Sequence, residues 1–440
     1  MKRKDFIKLS AVSGAGMVMA GSFPGVVKAG FGKEKIRVAV MGGRSRAGAL
    51  ALSFAKASGS EVVSVYDVDR RPLDGLAKEI ESIQGKAPAT GTDFRYALED
   101  PAVDALVIGA PDHWHTPATV MALSAGKHVY VEKPGSHNPY EAELIVQAQQ
   151  RYGGMVQMGN QQRSAPESIE AIRLIHEGLI GSVHYAKAFY SMARNPIGRG
   201  QIADVPEWLD YELWQGPAPR TPYRDNVIHY NWHWFKKWGT GELLNNGTHE
   251  VDICRWALDV QHPVRVTSHG GRFFYDDDWE FFDTQNVTFD FSGKKAINWE
   301  GFSANGFQFF NRGRGSVIYG SDGTMLIDRE GFIAYDRSNQ EIRRSLRQDD
   351  AERDQLDTVG AGPLTDLHIQ NFIDGIVNGA RLTAPIEDGQ KSVHMLHLGN
   401  ISQYVERSLK INERTGRIVG DSEAMSYWKR PYEPGWEPRI

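Results

Sequence analysis

The chain has 440 residues, with 50 basic and 55 acidic side chains, a net charge of −5 and a single cysteine. That length suggests two or three domains, and hydrophobic and charged fractions of 41% and 24% are those of a globular protein, which excludes wholesale disorder. The mild negative charge gives no electrostatic case for a nucleic-acid partner, and the lone Cys254 excludes an internal disulfide framework or a cysteine-rich metal site.

Residues 1–29 read as an export signal. Lys2, Arg3 and Lys4 precede an apolar, small-residue run over 9–20 that is too short to span a membrane, and Ala29 offers a small residue for cleavage. Arg3-Lys4-Asp5-Phe6-Ile7-Lys8 resembles a twin-arginine signal with lysine in place of the second arginine; an ordinary secretory signal is the alternative. The expected location is the periplasm or another exported compartment. No cysteine follows the apolar run to carry a lipid anchor.

From residue 35 the pattern becomes strand, tight turn, helix. Strands are predicted at 36–41, 61–66, 104–109, 128–131 and 155–158, with helices at 47–57, 116–125 and 139–150. This alternation implies α/β architecture: a doubly wound parallel sheet over 34–158, the Rossmann type that binds dinucleotides. Strands at 182–190, 264–274, 284–291, 296–302 and 316–320 then follow one another without long helices between them. They predict an α+β domain over 159–408 with an open, mostly antiparallel sheet, closed by helices near 364–378 and 389–408. Residues 409–440 are expected to form an arm lying on a surface, of this chain or of a neighbouring subunit.

Gly42-Gly43-Arg44-Ser45-Arg46-Ala47-Gly48 sits where a Rossmann phosphate loop belongs, with Arg44 in place of the second glycine and Ala47 at the third position. Such a turn also occurs between a strand and a helix that bind nothing. Asp67, 25 residues after Gly42 and at the end of the second predicted strand, shifts the balance. An acid there accepts the ribose hydroxyls of NAD and repels a 2′-phosphate. Gly42, Arg44, Ser45, Arg46 and Asp67 are therefore candidate NAD contacts.

Three more motifs carry a resemblance: Ala110-Pro111-Asp112-His113-Trp114-His115, Glu132-Lys133-Pro134, and residues 241–252 (GELLNNGTHEVD). With the Rossmann start they make the chain similar to the Gfo/Idh/MocA oxidoreductases, relatives of glucose–fructose oxidoreductase and inositol dehydrogenase, from about residue 34 to 408. The resemblance implies hydride transfer between a sugar-like alcohol and a nicotinamide in the cleft between domains. It implies that Lys133 touches the substrate hydroxyl and the nicotinamide ribose, that Glu132 binds a ribose, and that Pro111, His113 and His115 pack over the cofactor. His249 completes the proton path together with an aspartate in relatives; here that position is Asn245. An amide cannot take a proton at neutral pH, so the proton burden is expected to shift to His249 and Lys133. No metal site is expected. Assembly into a homodimer or homotetramer is also implied.

Five of the eleven tryptophans fall between Trp208 and Trp238, just ahead of the Asn245/His249 motif. Aromatic faces stack on the C–H faces of sugars while amide and imidazole groups meet hydroxyls. Tyr230, Trp232, His233, Arg163, Asn245 and His249 are the candidate substrate contacts, with Gln157, Asn160 and Gln161 as further polar groups. The substrate expected is a small carbohydrate. The leading reading is an exported NAD-dependent sugar oxidoreductase whose cofactor is tightly held, because free NAD is not supplied outside the cytoplasm. An NAD-assisted glycosidase acting through a transient 3-keto sugar is one alternative, although the Gly-His-Gly-Gly motif of such relatives is missing. A non-catalytic sugar-binding protein is the other.

Overall fold

The computed structural model describes residues 34–347 and 362–440. The export signal read from residues 1–29 lies outside them. Among the described residues, no helix is long and apolar enough to cross a membrane.

The first domain is a six-stranded sheet of order β3-β2-β1-β4-β5-β6, every neighbouring pair parallel. Its strands are β1 (Ile36–Met41), β2 (Ser60–Tyr66), β3 (Ala89–Gly91), β4 (Ala105–Ile108), β5 (His128–Val131) and β6 (Val156–Met158). The central strands β1 and β4 are apolar at every position but Arg37 because both faces are covered. Ile36, Val38, Val40, Ala105 and Val107 face one core, and Ala39, Met41, Leu106 and Ile108 face the other. Helices α1 (Ser45–Lys56) and α2 (Leu73–Gln84) cover the first face. Helices α3 (Asp112–Ser124) and α4 (Pro139–Tyr152) cover the second.

The second domain follows α5 (Pro166–His176) and is a nine-stranded sheet of order β14-β13-β12-β11-β7-β10-β9-β8-β15. The strands predicted from sequence are β7 (Val183–Ser191), β8 (Arg265–Gly271), β9 (Thr284–Phe291), β10 (Lys295–Phe302) and β11 (Arg314–Gly320). Four more were missed: β12 (Gly323–Ile327), β13 (Gly331–Asp336), β14 (Glu341–Leu346) and β15 (Leu409–Lys410). All pairs are antiparallel except β7 with β10. Along β9 every second residue is buried, the signature of a sheet covered on one face. The cover is α6 (Gly247–Leu258), which sequence reading treated only as a motif, and α8 (Ile386–Tyr404).

One placement changes the expected domain plan, and another decides between the two surfaces expected for the arm. Helix α7 (Pro363–Asn378), assigned from sequence to the second domain, returns to the first: Ile369, Phe372, Ile373 and Ile376 complete the core formed by α1 and the sheet. The C-terminal arm lies on α3 and α4 of its own chain. Trp436 stands edge-on to Trp114 at 5.5 Å, and Arg430 pairs with Glu141 at 2.8 Å. Helix α8 touches both domains, packing on α4 and on β8.

Because Phe372 is fully buried between Phe54 and Tyr130, with ring centroids at 6.3 and 5.8 Å, its truncation opens a cavity with no room to collapse. Phe372→Ala should destabilise the protein by about 3–5 kcal/mol, read as a lowered urea midpoint.

Candidate functional site

One cleft between the two domains collects the carboxyl ends of β1, β2, β4 and β5, where ligands of open parallel sheets sit. Of the residues singled out from sequence, Gly42, Arg44, Ser45, Arg46, Asp67, Pro111, His115, Glu132, Lys133, Gln161, Tyr230, Trp232, His233, Asn245 and His249 line it. His113 and Arg163 do not. His113 is fully buried behind the wall, its Nε2 bonded to the Trp214 carbonyl at 2.9 Å. Arg163 is clamped by Asp252, with contacts of 2.7 and 2.8 Å, and by Asp388 at 3.0 Å. Both are structural residues here, since each already has partners away from the cleft. Gln157 likewise bonds the His368 carbonyl, and Asn160 is buried.

At one end the donor set fits a dinucleotide. Gly42 adopts φ +110°, and a Cβ there would meet Ala47 Cβ at 2.5 Å, so the turn presses directly on the first turn of α1. Helix α1 carries no side-chain N-cap and no acid in its first turn, leaving its amide N–H groups and positive dipole end to the cleft. Asp67 accepts backbone N–H bonds from Gly43 at 2.6 Å and Asp69 at 2.8 Å. Burial raises its carboxyl above the usual range.

Beside it, Asp69 has no exposed surface and binds Arg44, Arg71 and His229, each at 2.8 Å. Desolvation opposes its ionisation, and Arg71, His229 and Arg44 outweigh it, holding the carboxyl far below its ordinary value. His229 comes from the aromatic stretch, so this carboxylate fastens the stretch to the end of β2. Arg71 also lies 3.4 Å over the Trp208 ring. Sequence reading gave Asp69 no role, because a lone acid after a strand shows no periodicity that would flag it.

At the other end the reactive groups converge. Lys133 follows β5 and is partly buried; its Nζ donates to both the backbone O and the Oδ1 of Asn245, each at 2.8 Å. The turn that carries it is held from α8: Gln390 Nε2 donates to the Pro134 carbonyl at 3.0 Å, and Ser136 Oγ donates to Gln390 Oε1 at 2.7 Å. Gly135, at φ +74°, leaves the space that Gln390 fills, because a Cβ would lie 2.6 Å from its Nε2. Burial lowers the Lys133 pKa, against the opposing charges of Asp112, Glu132 and Glu242. Glu132 is engaged by Arg46 at 2.8 Å and Gln161 at 3.0 Å.

The histidines divide differently from expectation. His115 receives the Gly135 N–H on Nδ1 at 3.3 Å and reaches the Ala110 carbonyl with Nε2 at 2.8 Å, which fixes the neutral Nε2–H tautomer. Burial brings its pKa to about 4. His249 is buried and surrounded by Arg329, Arg314, Lys133 and Arg46; burial and these charges push it well below its ordinary value. The imidazolium form of His249 is thus disfavoured. His233 stacks on Trp232 with ring centroids 3.6 Å apart, and its Nδ1 meets the Tyr230 carbonyl at 2.6 Å. These rings form one wall of the cleft that Lys133 also lines.

Asp112, passed over in sequence, lies in the cleft at the start of α3, only 3% exposed, with Thr240 Oγ1 donating to it at 2.6 Å. Burial raises its pKa to about 6. The folded state therefore holds this proton more tightly than the unfolded chain, so ionisation costs stability as pH rises from about 4 to about 6. Asp112→Asn should raise the Tm at pH 7.5 and leave it unchanged at pH 4. Gly42→Ala should raise the Kd for NAD at least tenfold in a calorimetric titration, about 1.4 kcal/mol or more.

In sequence, residues 36–160 match the NAD-binding Rossmann domain of an oxidoreductase family, and residues 185–305 match that family's C-terminal alpha/beta domain. An inositol 2-dehydrogenase of Saccharopolyspora erythraea is 25% identical over 332 residues, 73% of this chain and 84% of that protein. A glycosyl hydrolase family 109 protein of the same organism is 27% identical over 292 residues, 60% of this chain but only 57% of that relative. The solved structure of an aldose–aldose oxidoreductase from Caulobacter crescentus shares the fold, with a TM-score of 0.64 at 18% identity, covering 86% of this chain and all of that one.

Proposed function

Because the chain belongs to the Gfo/Idh/MocA oxidoreductase family, with an NAD-binding Rossmann domain, we propose that it is an exported enzyme transferring a hydride between a sugar or polyol hydroxyl and a tightly held NAD. The observation that carries the reading is Lys133 Nζ, held 2.8 Å from Asn245 Oδ1 in the cleft that also contains the glycine turn and the aromatic wall. The turn of Gly42, the uncapped start of α1 and Asp67 would hold the pyrophosphate and adenosine ribose, and Glu132 and Lys133 the nicotinamide ribose. Bound there, the nicotinamide supplies the hydride acceptor.

The chain's own work is proton handling and orientation. Oxidising a secondary alcohol needs a base for its O–H proton, and a lysine with lowered pKa carries a larger share of free amine near neutral pH. Lys133 takes that proton, and the two Asn245 oxygens stabilise the ammonium that results. Neutral His249 orients a second hydroxyl by hydrogen bonding. Trp232 and His233 offer a flat face to the sugar's C–H surface. Asp67 disfavours a 2′-phosphate, and Asp69 already occupies the nearby Arg44 and Arg71. This supports NAD over NADP.

A second reading, redox-assisted cleavage of a glycoside through a transient 3-keto sugar, is favoured by the glycosyl hydrolase family 109 relative. Both enzymatic readings begin with the same alcohol oxidation. They differ in net chemistry: the first leaves an oxidised sugar, the second a split glycoside and unchanged NAD. We further propose a homodimer or homotetramer; a monomer in light scattering would overturn that.

The test is to purify the exported protein without added cofactor, denature it and identify the released dinucleotide by mass. Stoichiometric NAD is expected, followed by turnover of sugar pairs or glycosides without external cofactor. Lys133→Ala should lower that turnover by about 10³-fold. No released nucleotide and no binding of added NAD would overturn both enzymatic readings and leave a sugar-binding protein.

A further inference from the structure

Glu242 lies three residues before Asn245 on the short helix Gly241–Asn245, a spacing that puts both side chains on one side. It is a carboxylate with only 5% exposure. Arg194 Nε donates to its Oε2 at 2.6 Å and Ser303 Oγ at 3.1 Å. Its Oε1 accepts from the amide of Asn246 and, at 3.3 Å, from Asn245 Nδ2. Asn245 Oδ1, the other end of that amide, takes the Lys133 Nζ bond at 2.8 Å. A primary amide has one donor end and one acceptor end. With a carboxylate on one side and an ammonium on the other, its orientation is fixed, because a flip would set N–H against N–H and oxygen against oxygen.

We propose that Glu242 is the positioning residue for Lys133: through Asn245 it aims an acceptor at Nζ and adds, one side chain removed, a negative charge to those of Asp112 and Glu132. The amide is then a spacer between charge and base. It holds Lys133 in place without a carboxylate near enough to fix the proton on it. Burial raises the Glu242 pKa, but the Arg194 charge and the hydrogen bonds outweigh it, so the group stays ionised. Asp112, His115, Glu132, His233, His249 and Arg314 are the other titratable or charged groups that act on Lys133 from the packed elements. This inference rests on the reading of Lys133 as the proton carrier, so its test titrates Lys133 itself and needs no substrate.

Competitive acetylation of the intact chain with acetic anhydride from neutral to alkaline pH, read by peptide mass spectrometry, gives the titration midpoint of Lys133. Glu242→Gln should lower it by about one pH unit, since a buried opposite charge is lost. Glu242→Gln combined with Asn245→Asp, which returns one carboxylate to Nζ, should bring it back to the wild-type value or above. Both variants lose the Glu242–Arg194 pair, so damage from that loss is common to them and recovery in the second isolates the charge. A Glu242→Gln midpoint within about 0.2 pH unit of wild type overturns the proposal; so does a double variant no higher than Glu242→Gln. Should Glu242→Gln melt too low to assay, the comparison moves to the Asn245→Asp background. Adding Glu242→Gln must lower the midpoint there as well, and no change overturns it.

Discussion

A lysine ammonium partly withdrawn from water at the seam of two domains must find acceptors there, and much of this molecule is arranged around that requirement. Lys133 leaves the first domain after β5 and finds both its acceptors on Asn245 of the second. The contact is a hydrogen-bond-length constraint on where the domains meet: if they slid apart by a few ångströms, Nζ would be stranded. Helix α8 prevents this from behind, since it packs on both domains and its Gln390 grips the Pro134 carbonyl. The glycine turn, the aromatic wall and Lys133 are thus held in one frame by groups that lie behind the cleft.

The same low-water setting sorts the ionisable side chains into roles. His115 is spent on two backbone bonds, and His249 is pushed toward its neutral form by burial and by the cations around it. Asp112 is pushed the other way, toward its protonated form. Lys133 shares the cleft with Asp112, its own charge discouraged by burial yet supported by several carboxylates. Two groups with opposed tendencies in one cleft are how a fold obtains acid–base chemistry near neutral pH.

Much of this was legible in the sequence, for reasons that can be named. β1, β4 and β5 are short apolar runs closed by glycine or proline, and buried parallel strands leave that signature. Lys133, Asn245 and His249 stood in motifs whose order along the chain matched their convergence in space. The failures have physical causes too. α6 was hidden because it is buried on nearly every face and shows no amphipathic stripe. β12, β13 and β14 are short hairpin strands joined by tight turns. Arg163 looked like a ligand because it is a charged residue beside the sixth strand; its partners Asp252 and Asp388 are distant in sequence and leave no local trace. His113 and His115 are two residues apart, and only the direction of the helix start separates the one buried behind the wall from the one lining the cleft.

The return of α7 to the first domain has a consequence for biosynthesis. On the ribosome, the nucleotide-binding half emerges early, yet the part of its core that Ile369, Phe372 and Ile373 complete beside α1 stays open until α7 has been made. A domain whose last wall is encoded near the other terminus cannot finish folding during translation of its own segment. The first half therefore gains its full core only when α7, made after β7 to β14 of the second sheet, has docked.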